Sequence, residues 1–397
     1  MNLQPSSGRR QFARWAVTAA ISTAFTAPVG SVWAQSEPFK VGLILPMSGP
    51  FASTGRQIDG AVKLYMAEHG DTVAGRKVVI ILKDDTGVPD VTKRLAQELL
   101  VNGKVDVLAG FGVTPSALAV GPIATQARTP AVIMAAATSG IVATSPYFVR
   151  SSYTLQQSAG TMAKWTRKNG IRRVITMVSD YGPGIDAEKV YKEGVEKDGG
   201  QVIDQIRIPM RNPDFAPFLQ RVRDLNPEAV FVFVPSGPAA QLMKQFSERG
   251  LDKSGIKLIG DGGVTDDDLL NDMGDVALGT VTSFHYSAAH DSALNKQFVK
   301  TFTAANNGMR PNFMAVGGYD GMALIYKAVE ATQGKGQGES LVNAMKGQSF
   351  ESPRGPIAID AQTRDIIQNV YIRRVERKDG QLWNAEIDAV KAVKDGD

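Results

Sequence analysis

Residues 39–45 read FKVGLIL, residues 46–55 read PMSGPFASTG, and an amphipathic pattern runs from 56 to 68. An apolar run rich in β-formers, a Gly/Pro turn and a helical period make one strand–loop–helix unit. The chain repeats that unit. VVIILK at 78–83 precedes a helical pattern at 89–102, a strand pattern at 105–109 precedes a helix at 115–126, and another apolar run occupies 131–135. Short unbroken apolar strands alternating with helices indicate βαβ units, with a parallel sheet covered on both faces.

A second series follows residues 147–150, which read as a linker. Helices are expected at 156–169, 185–198, 214–225 and 239–249, and strands at 173–178, 201–208, 229–234 and 257–259. A strand at 281–284 is followed by helices at 293–306 and 313–331 for which the second sheet has no obvious use, and strand candidates lie at 355–359 and 370–374. The fold class is therefore α/β, with two doubly wound open-sheet lobes. Two such lobes make a cleft, and ligands of open α/β sheets sit beyond the carboxyl ends of the strands.

Composition narrows the function classes. The 397 residues, 43% hydrophobic and 21% charged, fit two globular domains and exclude a disordered or fibrous chain. With no cysteine and only His69, His285 and His290, the chain has no thiolate site and few imidazoles for a metal, so no metal and no cofactor are expected. No Lys/Arg run of five or more exists, and nucleic acid is not an expected partner.

Residues 1–34 contain no acid, carry Arg9, Arg10 and Arg14, and continue into an Ala/Thr/Val/Ile stretch, the layout of a signal peptide. SGRRQFAR at 7–14 resembles the twin-arginine export signal, and VWA at 32–34 places cleavage after Ala34. Removing the three leader arginines from the 44 basic residues leaves 41 against 40 acidic ones, so the exported part is nearly neutral. No other stretch is apolar enough to span a bilayer, and stable membrane insertion is not expected.

The loops after the strands carry the candidate chemistry. Residues 46–55 offer hydroxyls at a helix start, as do Thr114 and Ser116 after the third strand and Thr138 after the fourth. Each can be an ordinary capped turn, and together they suit a carboxylate. The GFG at 110–112 lacks a third glycine and is no dinucleotide fingerprint. Tyr181 stands in a Gly/Pro turn after the first strand of the second series. An enzyme is the rival class, but no serine lies in GxSxG, Asp84 and Asp85 read as a strand end, and Asp266, Asp267 and Asp268 read as a solvated helix start. No catalytic residue is assigned.

Taken in order, LPMSGPFASTG at 45–55, DDTG at 84–87, GFGVTPSALAV at 110–120, PAVIMAAATS at 130–139, SDYGPG at 179–184, PDFAPFLQRVRDLNPEAVFV at 213–232 and AVGGYDGMALI at 315–325 resemble the periplasmic substrate-binding proteins of branched-chain amino acid ABC importers, type I periplasmic binding fold. The resemblance covers the whole chain after the leader. It implies two lobes joined by three crossovers, with 35–155 and 287–362 in lobe 1 and 156–286 and 363–397 in lobe 2. It also implies a monomer that traps a small ligand by hinge closure and presents it to a membrane permease.

By the same resemblance Thr114, Ser116, Ala136, Ala137 and Thr138 hold the ligand carboxylate, Tyr181, Tyr319 and Phe51 contribute aromatic contacts, and Tyr153 and His285 can stack on the ligand body. Amino-acid binders of the family hold the ligand ammonium with a carboxylate where this chain has Gly262, with Asp261 adjacent. Without that acid a buried ammonium is unpaired at a cost of several kcal/mol. The expectation is a small organic carboxylate, an aromatic acid by preference. A branched-chain or other α-amino acid is the alternative, and a periplasmic ligand sensor of the same fold is the second.

Overall fold

The computed structural model describes residues 37–396 apart from 198, 211 and 212; the leader at 1–34 and its cleavage after Ala34 lie outside the described residues. The first series comprises β1 (Phe39–Leu45), α1 (Ala52–His69), β2 (Thr72–Val73), β3 (Arg76–Asp84), α2 (Pro89–Glu98), β4 (Val107–Gly110), α3 (Thr114–Ala127), β5 (Ala131–Ile133) and β6 (Phe148–Arg150). Its sheet runs β2-β3-β1-β4-β5-β6, parallel except for the β2–β3 hairpin. The segment 147–150, read as a linker, instead contributes β6, because three residues of FVR pair in register with β5 before the chain leaves the sheet. Val41, Leu43, Ile44 and Leu45 of β1 are all buried, which explains an apolar run without polar alternation.

The second series comprises α4 (Leu155–Lys168), β7 (Arg173–Ser179), α5 (Gly182–Glu196), β8 (Gln201–Ile208), α6 (Ala216–Leu225), β9 (Ala229–Phe233), α7 (Ser236–Glu248), β10 (Lys257–Asp261), α8 (Leu270–Met273) and β11 (Val281–Phe284). After it come α9 (Ala293–Ala305), α10 (Phe313–Ala331), α11 (Glu339–Met345), β12 (Ser349–Ser352), β13 (Gly355–Ile359), β14 (Ile366–Lys378) and β15 (Gln381–Val393). The second sheet runs β12-β13-β14-β11-β10-β9-β7-β8, with β15 paired to β14.

The late helices return to the first sheet. Phe298, Phe302, Val316 and Ile325 share one core with β1, β4 and β5. Helix α10 presses close because glycines face its neighbours: a Cβ on Gly317 would lie 2.2 Å from Met134 O, and one on Gly318 would lie 3.0 Å from Ile58. The β12–β13 hairpin lies in the 287–362 segment expected in lobe 1. It hydrogen-bonds to β14 and extends the second sheet, while Ile357 and Ile359 pack into the first core.

The chain leaves the first sheet after β6, returns to the first core after β11, and re-enters the second sheet between α11 and β12. Three fully buried arginines hold these crossings. Arg150 donates to Tyr153 O and Thr138 O and faces Asp365 at 3.1 Å. Arg354 pairs with Asp320 at 2.6 Å, donates to Ser152 O and Gln368 Oε1 at 2.8 Å each, and also bonds Ser151 O. Arg373 donates to Tyr286 O and, at 2.9 Å, to Gly262 O.

Removing Arg354 leaves Asp320 buried without its cation, which costs about 3–5 kcal/mol. Arg354→Ala should lower the urea midpoint of unfolding accordingly. An unchanged midpoint would show that the pair contributes nothing net.

Candidate ligand-binding site

Asp84 and Asp85, at the junction of β3 and the following turn, set two of the loops. Asp84 accepts Met47 N–H at 2.9 Å, Ser48 Oγ–H at 2.6 Å and Thr86 N–H at 2.8 Å, fixing the turn that leads into α1. These bonds hold its carboxyl below the usual range despite some desolvation. Asp85 is buried and accepts the Thr92 and Ser116 hydroxyls, joining the starts of α2 and α3 from beneath.

A cavity of about 140 Å³ opens where the strands of both sheets end. From the first sheet it is lined by Phe51, Ser53 and Thr54 after β1, Gly112, Val113 and Thr114 after β4, Ala135, Ala136 and Ala137 after β5, and Tyr153 after β6. From the second it is lined by Tyr181 and Pro183 after β7, Phe233, Val234 and Pro235 around the end of β9, and Asp261, Gly263 and Asp266 at and after the end of β10. Asn312, Phe313 and Met314, at the start of α10, complete it. Among the described residues no Lys or Arg lines it.

Six of the residues expected at the site, Phe51, Thr114, Ala136, Ala137, Tyr153 and Tyr181, line this cavity together. The other five lie elsewhere. Thr138 is not among the lining residues, but its hydroxyl lies 2.9 Å from that of Thr114. Ser116 is buried against Asp85 and Thr92. Gly262 faces inward: a Cβ there would lie 2.1 Å from Phe284, so the missing side chain makes room for that ring and not for a ligand. Tyr319 donates its hydroxyl to Glu68 and packs edge-on against Tyr65 in the α1–α10 contact. His285 stacks on Tyr153 with ring centroids 4.6 Å apart, supporting a cavity wall from behind. Burial, with the charges of Arg354 and Arg373, keeps its pKa well below the usual histidine value.

The walls are aromatic. Tyr153 meets Phe284 and Phe313 edge-on, and Tyr181 leans towards Phe233 at 6.3 Å. Polar groups gather in two places. On the first-sheet side are the Thr114 hydroxyl and the first turns of α1 and α3, whose leading N–H groups have no intrahelical acceptor and carry the positive end of the helix dipole. On the second-sheet side are two acids.

Asp261 is 2% exposed, and its Oδ1 accepts Gly263 N–H at 3.0 Å. Burial pushes its pKa up to about 6 against smaller lowering effects of Gly263 N–H, the Ser158 hydroxyl and Arg373. Asp266, read from sequence as solvated, is buried and accepts both the Asp268 N–H and Asn312 Nδ2 at 3.0 Å. Burial, with the neighbouring charges of Asp267 and Asp268, raises it to about 7 despite those bonds. Asp267 is buried as well and faces Arg373.

Contacts across the cleft include Asn312 of α10 with Asp266, Ser139 N–H with Asp186 Oδ2 of α5 at 3.0 Å, and Arg310 Nη1 with Asp267 O at 3.4 Å and Leu382 O at 2.9 Å. Among the described residues no cluster of three His, Cys, Asp or Glu could hold a metal, and no helix is long and apolar enough to cross a membrane.

Residues 38–381 match the family model of the periplasmic binding proteins. The chain is 44% identical over 368 residues to Leu/Ile/Val-binding protein homolog 6 of Brucella abortus, covering 92% of this chain and 94% of that one. A solute-binding protein of an ABC transporter from Rhodopseudomonas palustris BisB5, solved with 3,4-dihydroxybenzoic acid, superposes with a TM-score of 0.88 at 60% identity, over 90% of this chain and 99% of its own. Another from Rhodopseudomonas palustris HaA2, solved with p-hydroxybenzoic acid, gives 0.87 at 40% identity over 90% and 98%.

Asp266 sets a pH dependence. It stays protonated in the folded protein up to about pH 7, whereas an unfolded chain ionises it near pH ~4. Between those values the native state holds the extra proton, so the Asp266 contribution to stability falls as pH rises. Asp266→Asn removes this titration. Its melting temperature relative to the unsubstituted protein should rise between about pH 5 and about pH 8; a difference independent of pH would show that Asp266 is ionised throughout.

Proposed function

The chain belongs to the periplasmic binding protein family, and we propose that it is the solute-binding component of an ABC importer, capturing an aromatic carboxylate of the benzoate class and delivering it to a membrane permease. The observation that carries this reading is the cavity itself. Its volume of about 140 Å³ is close to the ~150 Å³ of an apolar cavity that accepts a benzene ring, and its walls are Phe51, Tyr153, Tyr181, Phe233 and Phe313. Relatives at 60% and 40% identity were solved with hydroxylated benzoates, which favours the same class here.

The ligand carboxylate lies against Thr114 and the first turns of α1 and α3. Thr138 holds the Thr114 hydroxyl in place. Helix ends and hydroxyls carry a single negative charge without a buried cation, because several partial charges share it. The ring slots between Tyr153 and Tyr181, where offset or edge-on contacts add to the burial of its faces. An α-amino acid would bring an ammonium into a cavity whose second-sheet side offers Asp261, and leucine is the discriminating control.

Binding begins on lobe 1, taken as 35–155 with 287–362, and lobe 2, taken as 156–286 with 363–397, swings about the three crossovers to bring Tyr181 and the β10 loop across the ligand. The closed form is the one the permease recognises, and no chemical step takes place. The leader at 1–34, with Arg9 and Arg10, directs export through the twin-arginine route to the periplasm.

Calorimetry with benzoate, 4-hydroxybenzoate and leucine tests the class: benzoates should bind and leucine should not, and a preference for leucine overturns the reading. Thr114→Val removes the hydroxyl at nearly constant volume. A hydrogen bond to a charged group is worth about 1.5–3 kcal/mol, so benzoate affinity should fall at least about tenfold. Unchanged affinity removes Thr114 from the site.

A further inference from the structure

We propose that Arg310 is the clasp that shuts the cleft over the ligand: its guanidinium, held on the first lobe, grips Trp383 and two loops of the second lobe only when the lobes come together, and so sets how firmly the cavity keeps what it captures. This rests on the reading of the chain as a solute-binding protein that closes by a hinge, and names a positioning residue within it.

Arg310 does not line the cavity, yet it stands two residues before Asn312, which does. Its backbone is held from the first-lobe side. Gln57 of α1 donates from Nε2 to Arg310 O at 2.9 Å and accepts Asn312 N–H at 3.2 Å, so residues 310–312 are fastened to α1 at both ends. Pro311 between them stiffens the stretch by fixing its own φ.

The guanidinium reaches the other way. Nη1 donates to Leu382 O at 2.9 Å and to Asp267 O at 3.4 Å, Nη2 donates to Gln381 Oε1 at 2.8 Å, and the central carbon lies 3.9 Å from the centre of the Trp383 ring. Gln381, Leu382 and Trp383 open β15, and Asp267 follows β10, so the second sheet carries all four partners. They form one surface. Asn384 Nδ2 ties the two loops by bonding Thr265 O at 2.7 Å and Asp267 Oδ1 at 3.0 Å, and Leu382 N–H bonds Asn271 Oδ1 at 2.7 Å. A planar guanidinium suits that surface because it can lie flat on an indole face while its edge donates to carbonyls, which a lysine ammonium cannot do.

The three consecutive acids acquire a shared role. Asn312 Nδ2 meets Asp266, and Arg310 meets the carbonyl of Asp267. Burial raises the Asp268 pKa against the lowering effects of the Gln57 side chain and the Arg310 N–H. Each acid is thus faced by a group from α1 or from the start of α10. Asn312, Phe313, Met314 and Asp266 also line the cavity, so ligand and clasp share one short stretch of chain and closing over the one engages the other.

Trp383 supplies its own reporter. It packs against the first core although β15 belongs to the second sheet, so its ring loses that wall as well as the guanidinium when the lobes part. Two of the four tryptophans, Trp15 and Trp33, lie in the 1–34 leader, and in the protein without that leader Trp165→Phe leaves Trp383 alone. On adding benzoate the Trp383 emission should move to shorter wavelength as the ring is covered, and small-angle scattering should show the protein contracting. Arg310→Met keeps the stem and removes the fork. It should weaken benzoate binding at least about tenfold in calorimetry, lose the emission shift even at saturating benzoate, and leave the melting temperature of the ligand-free protein unchanged, because the open form does not make the clasp. Arg310→Lys, with the charge but no fork, should recover only part of the affinity. The calorimetry and melting comparisons keep Trp165 in place and do not depend on the folding of its variant.

Contraction on benzoate with an unmoved Trp383 emission makes Arg310 a permanent strut, as does an Arg310→Met protein that melts early when ligand-free but binds benzoate as before. Either result overturns the assignment and leaves the functional reading standing. Leucine binding in place of benzoate overturns the aromatic-acid class alone, and the same measurements made with leucine decide Arg310. Benzoate binding without contraction overturns hinge closure, and the clasp falls with it.

Discussion

Where a chain passes from one sheet to another, its carbonyls leave the ladder that would satisfy them, and here three buried guanidiniums take over that duty. Arg150, Arg354 and Arg373 are among the largest fully buried side chains of the protein, and each gives two hydrogen bonds to backbone oxygens at a crossing or at the cleft. Guanidinium suits the task because it offers five N–H groups in a fixed plane and stays charged when desolvated. Asp365, Asp320 and Asp267 face the three in turn, keeping each buried charge paired. With no cysteine in the chain, these ion pairs and their carbonyl contacts take the place a covalent staple would occupy.

The same arginines shape the candidate site without entering it. Arg150 holds Thr138 O and Tyr153 O, one on each side of the Thr114–Ala137 corner, and Arg373 holds the loop between Asp261 and Gly263. Positive charge thus stands one layer behind the cavity, and the lining is left to hydroxyls, helix starts, aromatic rings and two acids. Such a lining discriminates by shape and by the placement of donors and acceptors more than by net charge.

Much of the architecture was legible in the sequence because inner strands such as β1 and β9 are apolar runs buried on both faces, while β8 and β13 keep a partly buried strand pattern. The patterns at 39–45, 201–208, 281–284 and 355–359, and the helix at 313–331, coincide with β1, β8, β11, β13 and α10. β15 was not read, although Asp379-Gly380, both at positive φ, make the two-residue turn that joins it to β14. Its outer half is exposed and its apolar residues are interrupted by Asp388 and Lys391, so no unbroken apolar run announces it. At the site, the rule that ligands gather after strands led to Thr114, Ala136 and Tyr181, and it passed over Asn312 and Phe313 because they open a helix that follows no strand. Asp266 was misjudged because three consecutive acids look like a solvated face; only the tertiary structure shows Asn312 covering one of them and Arg373 facing the next. Gly262 stands where the family's amino-acid binders carry an acid, and the space its missing side chain leaves belongs to Phe284.

The contacts that bridge the cleft, among them Ser139 with Asp186, Asn312 with Asp266 and Arg310 with Asp267 O, have a kinetic meaning. Under the proposed hinge motion, a molecule enclosed behind them would depart only when they have let go and the lobes have parted. Its residence time is then governed by how often the protein opens, a collective motion on the order of microseconds to milliseconds, as well as by the strength of its own contacts. Two ligands of unequal affinity would share that gate, and their difference would show mainly in how long the open protein keeps each before it shuts again.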